Sequence, residues 1–324
     1  MDKKELKTII KSNEFSLYDA SISDNNPLKS YILSTPETRE LTTNPLLVGK
    51  PYRDALGSAI KKALSHPELN NYFKNVKDEN LNVLHFLRGG LNFQILEALG
   101  KIDKPNARAS FMSSERTLEN NQWKIKDDNY TKLNLENDSI VFIGDIVATG
   151  STLKCALEKI PKTMKHIFLF TLGGKEAEEI MIQNQNKFET AFIIYIEGQF
   201  HCPTDKTPVR IKIPGTDLMP LNSLLAPEFE QELLNHPIKA LERCIVYDGG
   251  SRGFHPKVHF EDLLEYTQQL QQEADKGATL YDLILERWQD LPKIQPQEAK
   301  MLKDNLFTQA FLRQRTEKIN TLLS

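Results

Sequence analysis

Cysteine is scarce in this chain and follows no pattern. Cys155, Cys202 and Cys244 are the only three in 324 residues. They are too few and too scattered for a disulfide framework or a thiolate metal site, both of which need paired spacings. A basic excess is missing as well. The 41 Lys and Arg set against 44 Asp and Glu give a formal net charge of −3, which removes the whole-protein electrostatic case for nucleic acid or an anionic membrane surface. No apolar run approaches the length of a bilayer-spanning helix. The opening Met1-Asp-Lys-Lys-Glu-Leu-Lys7 lacks the apolar core of a signal peptide, so the expected setting is a reducing cytoplasm. Internal repeats and low-complexity tracts are absent too. What remains, 40% hydrophobic and 26% charged residues, is an ordinary globular composition, long enough for one full domain and a substantial addition.

Against that background one stretch stands out, Ser139 to Leu153. Ser139 to Ile143 carries no charge and reads as a buried parallel strand. Asp145 sits where the strand ends. The turn Ala148-Thr149-Gly150-Ser151-Thr152 then opens a helix through Leu153, Cys155, Ala156 and Leu157. A loop of small hydroxyl residues at a helix N-terminus gathers backbone N–H groups and the positive end of the macrodipole, which makes an anion cradle. A carboxylate just before it can bind sugar hydroxyls or magnesium on the same ligand. A nucleotide-binding P-loop is excluded because no Lys follows the glycine, and the dinucleotide fingerprint because its glycine triplet is missing. The plainer alternative is a strand–turn–helix with a capping Ser or Thr.

Elsewhere, strand and helix patterns alternate. Apolar strands are expected at Val83–Leu87, Arg108–Met112, His166–Leu172 and Ala191–Ile196, with helices near 52–64, 92–99, 152–160 and 174–185. Such alternation indicates βαβ units and a doubly wound parallel sheet, whose ligands bind at the carboxyl ends of the strands. The first forty residues read as polar and irregular. Beyond about residue 216 the pattern predicts a strand at Cys244–Tyr247, the glycine-rich Asp248–Gly253, and helices near 260–275, 279–290 and 297–322. The expected organisation is a polar segment 1–43, a domain 44–217 and a mostly helical extension 218–324. His255 and His259 lie four apart, but Pro256 disfavours a helix through both, so no metal held by protein alone is expected.

Ile143-Gly-Asp-Ile-Val-Ala-Thr-Gly-Ser-Thr152 resembles the phosphoribosyl-pyrophosphate (PRPP) motif of type I phosphoribosyltransferases. Leu87-Arg-Gly-Gly-Leu91 resembles the pyrophosphate loop of the uracil phosphoribosyltransferase group. Arg116-Thr-Leu-Glu119 with Tyr130-Thr-Lys-Leu133 is similar to the mobile hairpin that precedes the PRPP strand there. The resemblance covers about 44–217 and implies the type I phosphoribosyltransferase fold, an α/β doubly wound parallel sheet, with a C-terminal helical addition. It also implies transfer of a phosphoribosyl group from PRPP to a nitrogenous base, with Mg2+ arriving on PRPP and a homodimeric assembly. The implied PRPP contacts are Asp145, Ala148, Thr149, Gly150, Ser151, Thr152, Arg88, Gly89, Gly90, Arg116 and Lys132, with Asp145 and Arg88 catalytic. Ile196-Glu-Gly-Gln199 and Ile213-Pro-Gly-Thr-Asp217 stand where the family builds its base pocket, which implicates Glu197, Gly215 and Asp217. Phe93, Phe200, Tyr247 and Phe254 are aromatics that can stack on a base or simply pack. One departure matters: the family usually places two adjacent acids on the ribose hydroxyls, and this chain has Gly144 before Asp145. PRPP-binding regulators share the fold, so a non-catalytic role stays open.

Overall fold

The computed structural model describes residues 6–21, 27–87, 89–113, 115–119, 122–126, 130–160, 163–211, 217–242 and 249–324, with the backbone alone at 115–119 and 122–126. Among the described residues twelve strands run in chain order: β1 (Lys7–Lys11), β2 (Ser16–Asp19), β3 (Leu28–Ser34), β4 (Leu81–Leu87), β5 (Arg108–Ser113), β6 (Glu115–Glu119), β7 (Gln122–Lys126), β8 (Thr131–Lys132), β9 (Ile140–Val147), β10 (Met164–Gly174), β11 (Phe188–His201) and β12 (Met219–Leu225). Ten of them form one sheet in the order β1-β2-β3-β11-β10-β9-β4-β5-β8, with β12 on β11, while β6 and β7 form a separate ribbon.

The centre of the sheet is parallel, from β3 through β11, β10, β9 and β4 to β5. Antiparallel additions close both sides. After β4 the chain adds β5 on one side, then crosses back to place β9, β10 and β11 in turn on the other. This is the doubly wound order 2-1-3-4-5, and right-handed crossovers running in opposite directions put helices on both faces. The direction reverses between β4 and β9, where such sheets open a crevice for ligands.

Burial on both faces explains the near-continuous apolar strands: Ile140 to Ile143 and Ile167 to Phe170 are fully buried. Phe142, Phe168 and Phe192 occupy one row of the register and stack across the strands at 5.0 and 4.4 Å, with Phe73 edge-on to Phe142 and Phe168. The main core is a single cluster reaching from Phe15 to Leu312.

The first forty residues depart from the irregular segment expected of them. They form β1, β2 and β3, and the helix Pro36–Thr43 follows, opened by a Thr35–Thr38 capping box. β3 lies directly against β11 and is buried along almost its whole length. In the C-terminal part, helices span Pro256–Asp275, Leu280–Arg287, Pro296–Leu302 and Asn305–Leu323. Pro256 is the first residue of its helix, so it starts that helix and leaves His255 outside. The strand expected at Cys244–Tyr247 lies outside the described residues. No described helix is long and apolar enough to cross a membrane.

Candidate functional site

At the switch point the loop after β4 packs on β9 itself, shortly before the loop that follows β9. β9 carries its apolar run to Asp145, which is 8% exposed at the strand's end. Asp145 is level with Thr171 of β10, and the Thr171 hydroxyl accepts a hydrogen bond from the Val147 N–H at 3.3 Å. That contact fixes the exit of the strand. Gly150 then caps the helix Ser151–Lys159 in the left-handed region, with φ 73°, a conformation that favours glycine. A side chain there would also collide with Ile180, whose Cδ1 lies 2.0 Å from where a Cβ would stand. Gly150 offers no side chain to cap the helix, so the first-turn N–H groups and the macrodipole face the loop. Thr149 and Ser151 join their hydroxyls at 3.1 Å. Ala148, Thr149, Gly150, Ser151 and Thr152 thus form one small-residue turn at the carboxyl edge of the sheet, beside Asp145.

On the β4 side, Gly89–Phe93 forms a single 3-10 turn. Gly90 sits where a Cβ would be 3.0 Å from the Gly144 carbonyl oxygen, and Phe93 lies directly over Gly144. A Cβ at 144 would stand 2.4 Å from Phe93 Cγ. The absent first acid therefore has a steric counterpart, a benzyl side chain that fills its space. Phe93 is 1% exposed, so it packs on the strand and offers no face to a base. Phe200 is buried edge-on to Phe229, and Phe254 lies beneath the Arg53 guanidinium at 4.6 Å. Tyr247 lies outside the described residues.

The register extends the site sideways. Lys132 pairs with Phe111, Phe111 with His85, and His85 with Gly144, so the four form one row. Lys132 is exposed on β8, and β6 and β7 form the ribbon between β5 and β8, with Arg116 opposite Ile125. The chain thus does build a hairpin just before the β9 strand. Arg88 and Gly215 lie outside the described residues, and at Arg116 only the backbone is described. His85 and Thr171 carry no signal in the sequence, because each sits inside an apolar strand. His85 stacks on Phe111 at 5.3 Å, and burial pulls its pKa down, against the opposing influence of Glu97 and a backbone hydrogen bond at Gly90.

Glu197 and Asp217 are placed away from the turn. Glu197 sits at the break in the β10–β11 register, two strands from β9, in the left-handed region with φ 63°. Its carboxyl is fully buried and accepts from the Thr38 hydroxyl and the Thr35 N–H. Burial pushes it up to about 8, against hydrogen bonds from Thr38 and Ser34 and the charge of Arg39. Asp217 accepts two hydrogen bonds from the Arg287 guanidinium, one on each oxygen at 3.1 Å, deep in the protein. Among the described residues no group of three or more His, Cys, Asp or Glu is placed to hold a metal.

Comparison with known proteins gives no family model and no curated relative that match this chain. Solved structures do resemble it in part. The AQ2163 protein from Aquifex aeolicus is 19% identical over 55% of this chain and 90% of its own, with a TM-score of 0.41. A purine phosphoribosyltransferase from Pyrococcus horikoshii is 17% identical over 44% and 81%, with a TM-score of 0.27. The Giardia lamblia APRTase complexed with 9-deazaadenine is 20% identical over 44% and 80%, with a TM-score of 0.29. At such scores the architecture rests on this chain's own strand order and register: a mixed α/β sheet, parallel at its centre, whose reversal point seats the Gly89–Phe93 turn on Gly144 of β9, shortly before the Ala148–Thr152 turn.

Proposed function

We propose that this chain is a PRPP-dependent phosphoribosyltransferase that joins a phosphoribosyl group to a nitrogenous base and releases pyrophosphate. The observation that carries this reading is the packing of the Gly89–Phe93 turn on β9 at the β4/β9 switch point, with Gly90 against the Gly144 carbonyl one residue before Asp145 and shortly before the Ala148–Thr152 turn. A ligand with an anion at each end and a polyol between them suits two small-residue turns flanking one carboxylate. The 5-phosphate takes the backbone amides and hydroxyls of Ala148 to Thr152. Asp145 orients the ribose hydroxyls. The Arg88-Gly89-Gly90 loop receives the departing pyrophosphate, with Arg88 as its cation. Arg116 and Lys132, on the hairpin and its stem, close over the same end and exclude water from an electron-poor ribosyl centre.

One carboxylate beside the Thr149 and Ser151 hydroxyls suits a Mg2+ ion held mainly by ligand oxygens. When bound, that ion neutralises charge on the pyrophosphate. The chain's own contribution is positioning and fixed electrostatics, with no covalent nucleophile.

A second reading has its own support. Phe93 fills the space of the first acid, which favours a PRPP-binding regulator that no longer turns over. Pyrophosphate release from PRPP and Mg2+ across a panel of nucleobases separates the two: turnover with one base supports the enzyme, and binding of PRPP without turnover on any base supports the regulator. Within the enzyme reading, Asp145→Asn is expected to lose about 100-fold or more in kcat/KM while its circular dichroism stays native. A fully active Asp145→Asn protein would remove Asp145 from the mechanism.

A further inference from the structure

Among the described residues, the C-terminal part of the chain reaches the candidate site through the short helix Gly249–Phe254. It packs against the Gly89–Phe93 turn so closely that a Cβ on Gly253 would stand 1.6 Å from Asn92 Oδ1, and a Cβ on Gly89 would stand 4.0 Å from the Gly250 nitrogen. Asn92 is 1% exposed, so its side chain has little room to yield. The short helix is itself held from below. Arg252, buried, donates from Nε to the Leu47 carbonyl at 2.9 Å and from a terminal nitrogen to the Asn44 carbonyl at 2.6 Å, and lies 4.5 Å over the Tyr52 ring. His259, in the first turn of the next helix Pro256–Asp275, holds the Pro45 carbonyl at 2.7 Å. Three carbonyls of the 44–47 segment thus anchor the C-terminal part at the point where it meets the turn. On its other side the turn is seated on β9, through Gly90 and through Phe93 over Gly144.

We infer that Gly249–Phe254 is a structural wall of the anion-binding turn, with Gly253 and Arg252 as positioning residues for the Gly89–Gly90 loop. The C-terminal third is therefore a working part of the site and no separate module. The pyrophosphate role of that loop rests on the phosphoribosyltransferase reading, whereas the mechanical coupling does not. Packed between a strand and a short anchored helix, the turn keeps its amides in place before the ligand arrives, so less ordering is left for binding to supply.

The test uses the full chain and reads amide hydrogen exchange over residues 89–93, together with calorimetric affinities for magnesium pyrophosphate and ribose 5-phosphate. Gly253→Ala is expected to speed exchange in the turn by about tenfold and to weaken magnesium pyrophosphate by about tenfold. Ribose 5-phosphate, bound at the other turn, should change by less than about twofold. In an Asn92→Ala background the same substitution should have little further effect, since the atom it strikes is gone. Arg252→Lys keeps the cation but gives up the paired carbonyl contacts. It is expected to act in the same direction and carries the test if Gly253→Ala does not fold. Unchanged exchange, or equal losses for both ligands, would overturn the inference. A wild-type chain that binds neither ligand would instead sink the phosphoribosyltransferase reading, and the pyrophosphate role with it.

Discussion

Glu197 shows how far burial alone can move a group. Its carboxyl has no exposed surface and titrates near 8 instead of 4.5, although hydrogen bonds and a nearby arginine all pull the other way. Desolvation of the charged form outweighs them. In the folded protein the group keeps its proton at a pH where the unfolded chain has lost it. The stability it contributes is therefore complete below about pH 4.5 and disappears as the pH rises through about 8. The loss expected over that window is on the order of a few kcal/mol. Glu197→Gln cannot ionise, so the slope of urea stability between about pH 5 and 8 should flatten relative to wild type. Identical slopes would show that Glu197 is already ionised in the fold. The family resemblance implicates Glu197 in a base pocket, but its partner Thr38 lies 159 residues away. No local pattern could have revealed that its hydrogen bonds go to the first turn of Pro36–Thr43.

At the scale of elements, the Gly89–Phe93 turn and β9 behave as one packed unit. Gly144→Asp would supply the acid that the PRPP motif usually carries, and it would also drive a side chain into Phe93. Overpacking of this kind costs about 1–3 kcal/mol, and more where the new group is a buried charge. The single variant should lose stability in urea unfolding, and adding Phe93→Ala should recover part of that loss through non-additivity. Strictly additive losses would mean that the two side chains do not meet. The central strands were legible because burial on both faces writes them as unbroken apolar runs, as in Ile140–Ile143 and Ile167–Phe170. The helix Ser151–Lys159 was legible from its glycine and hydroxyl start. β3 was not. Its apolar run is only Tyr31-Ile32-Leu33, and its buried Ser30 and Ser34 read as loop residues. Ser30 in fact donates to Glu178, far along the chain, and Ser34 accepts from Arg39 in the helix that follows, so side-chain partners make those polar positions compatible with a buried strand.

For the whole molecule, the question is whether the C-terminal helices can come away from the sheet. One buried ion pair ties them in, Arg287 to Asp217 at 3.1 Å, while a second, Arg315 to Glu242 through both oxygens, holds the last helix to the rest of the C-terminal part. Arg287 also belongs to the helix Leu280–Arg287, while Asp217 lies just before β12, which pairs with β11. Breaking such a pair leaves a buried charge without its counter-ion, at a cost of about 3–5 kcal/mol. The core itself runs from Phe15 on the N-terminal side to Leu312 near the end. Chains of this size often unfold through intermediates, but a shared core and the Arg287–Asp217 pair leave no cheap plane along which to separate. Trp288, 1% exposed next to Arg287, reports on the C-terminal side, and far-ultraviolet circular dichroism reports on the sheet and helices together. In a Trp123→Phe background, the urea transitions followed by Trp288 fluorescence and by dichroism should coincide. Asp217→Asn should move both to lower urea together. If Trp288 were released first while the dichroism of the sheet persisted, the helices would be an independent unit, and the short helix Gly249–Phe254 could not serve as a fixed wall for the turn at the site.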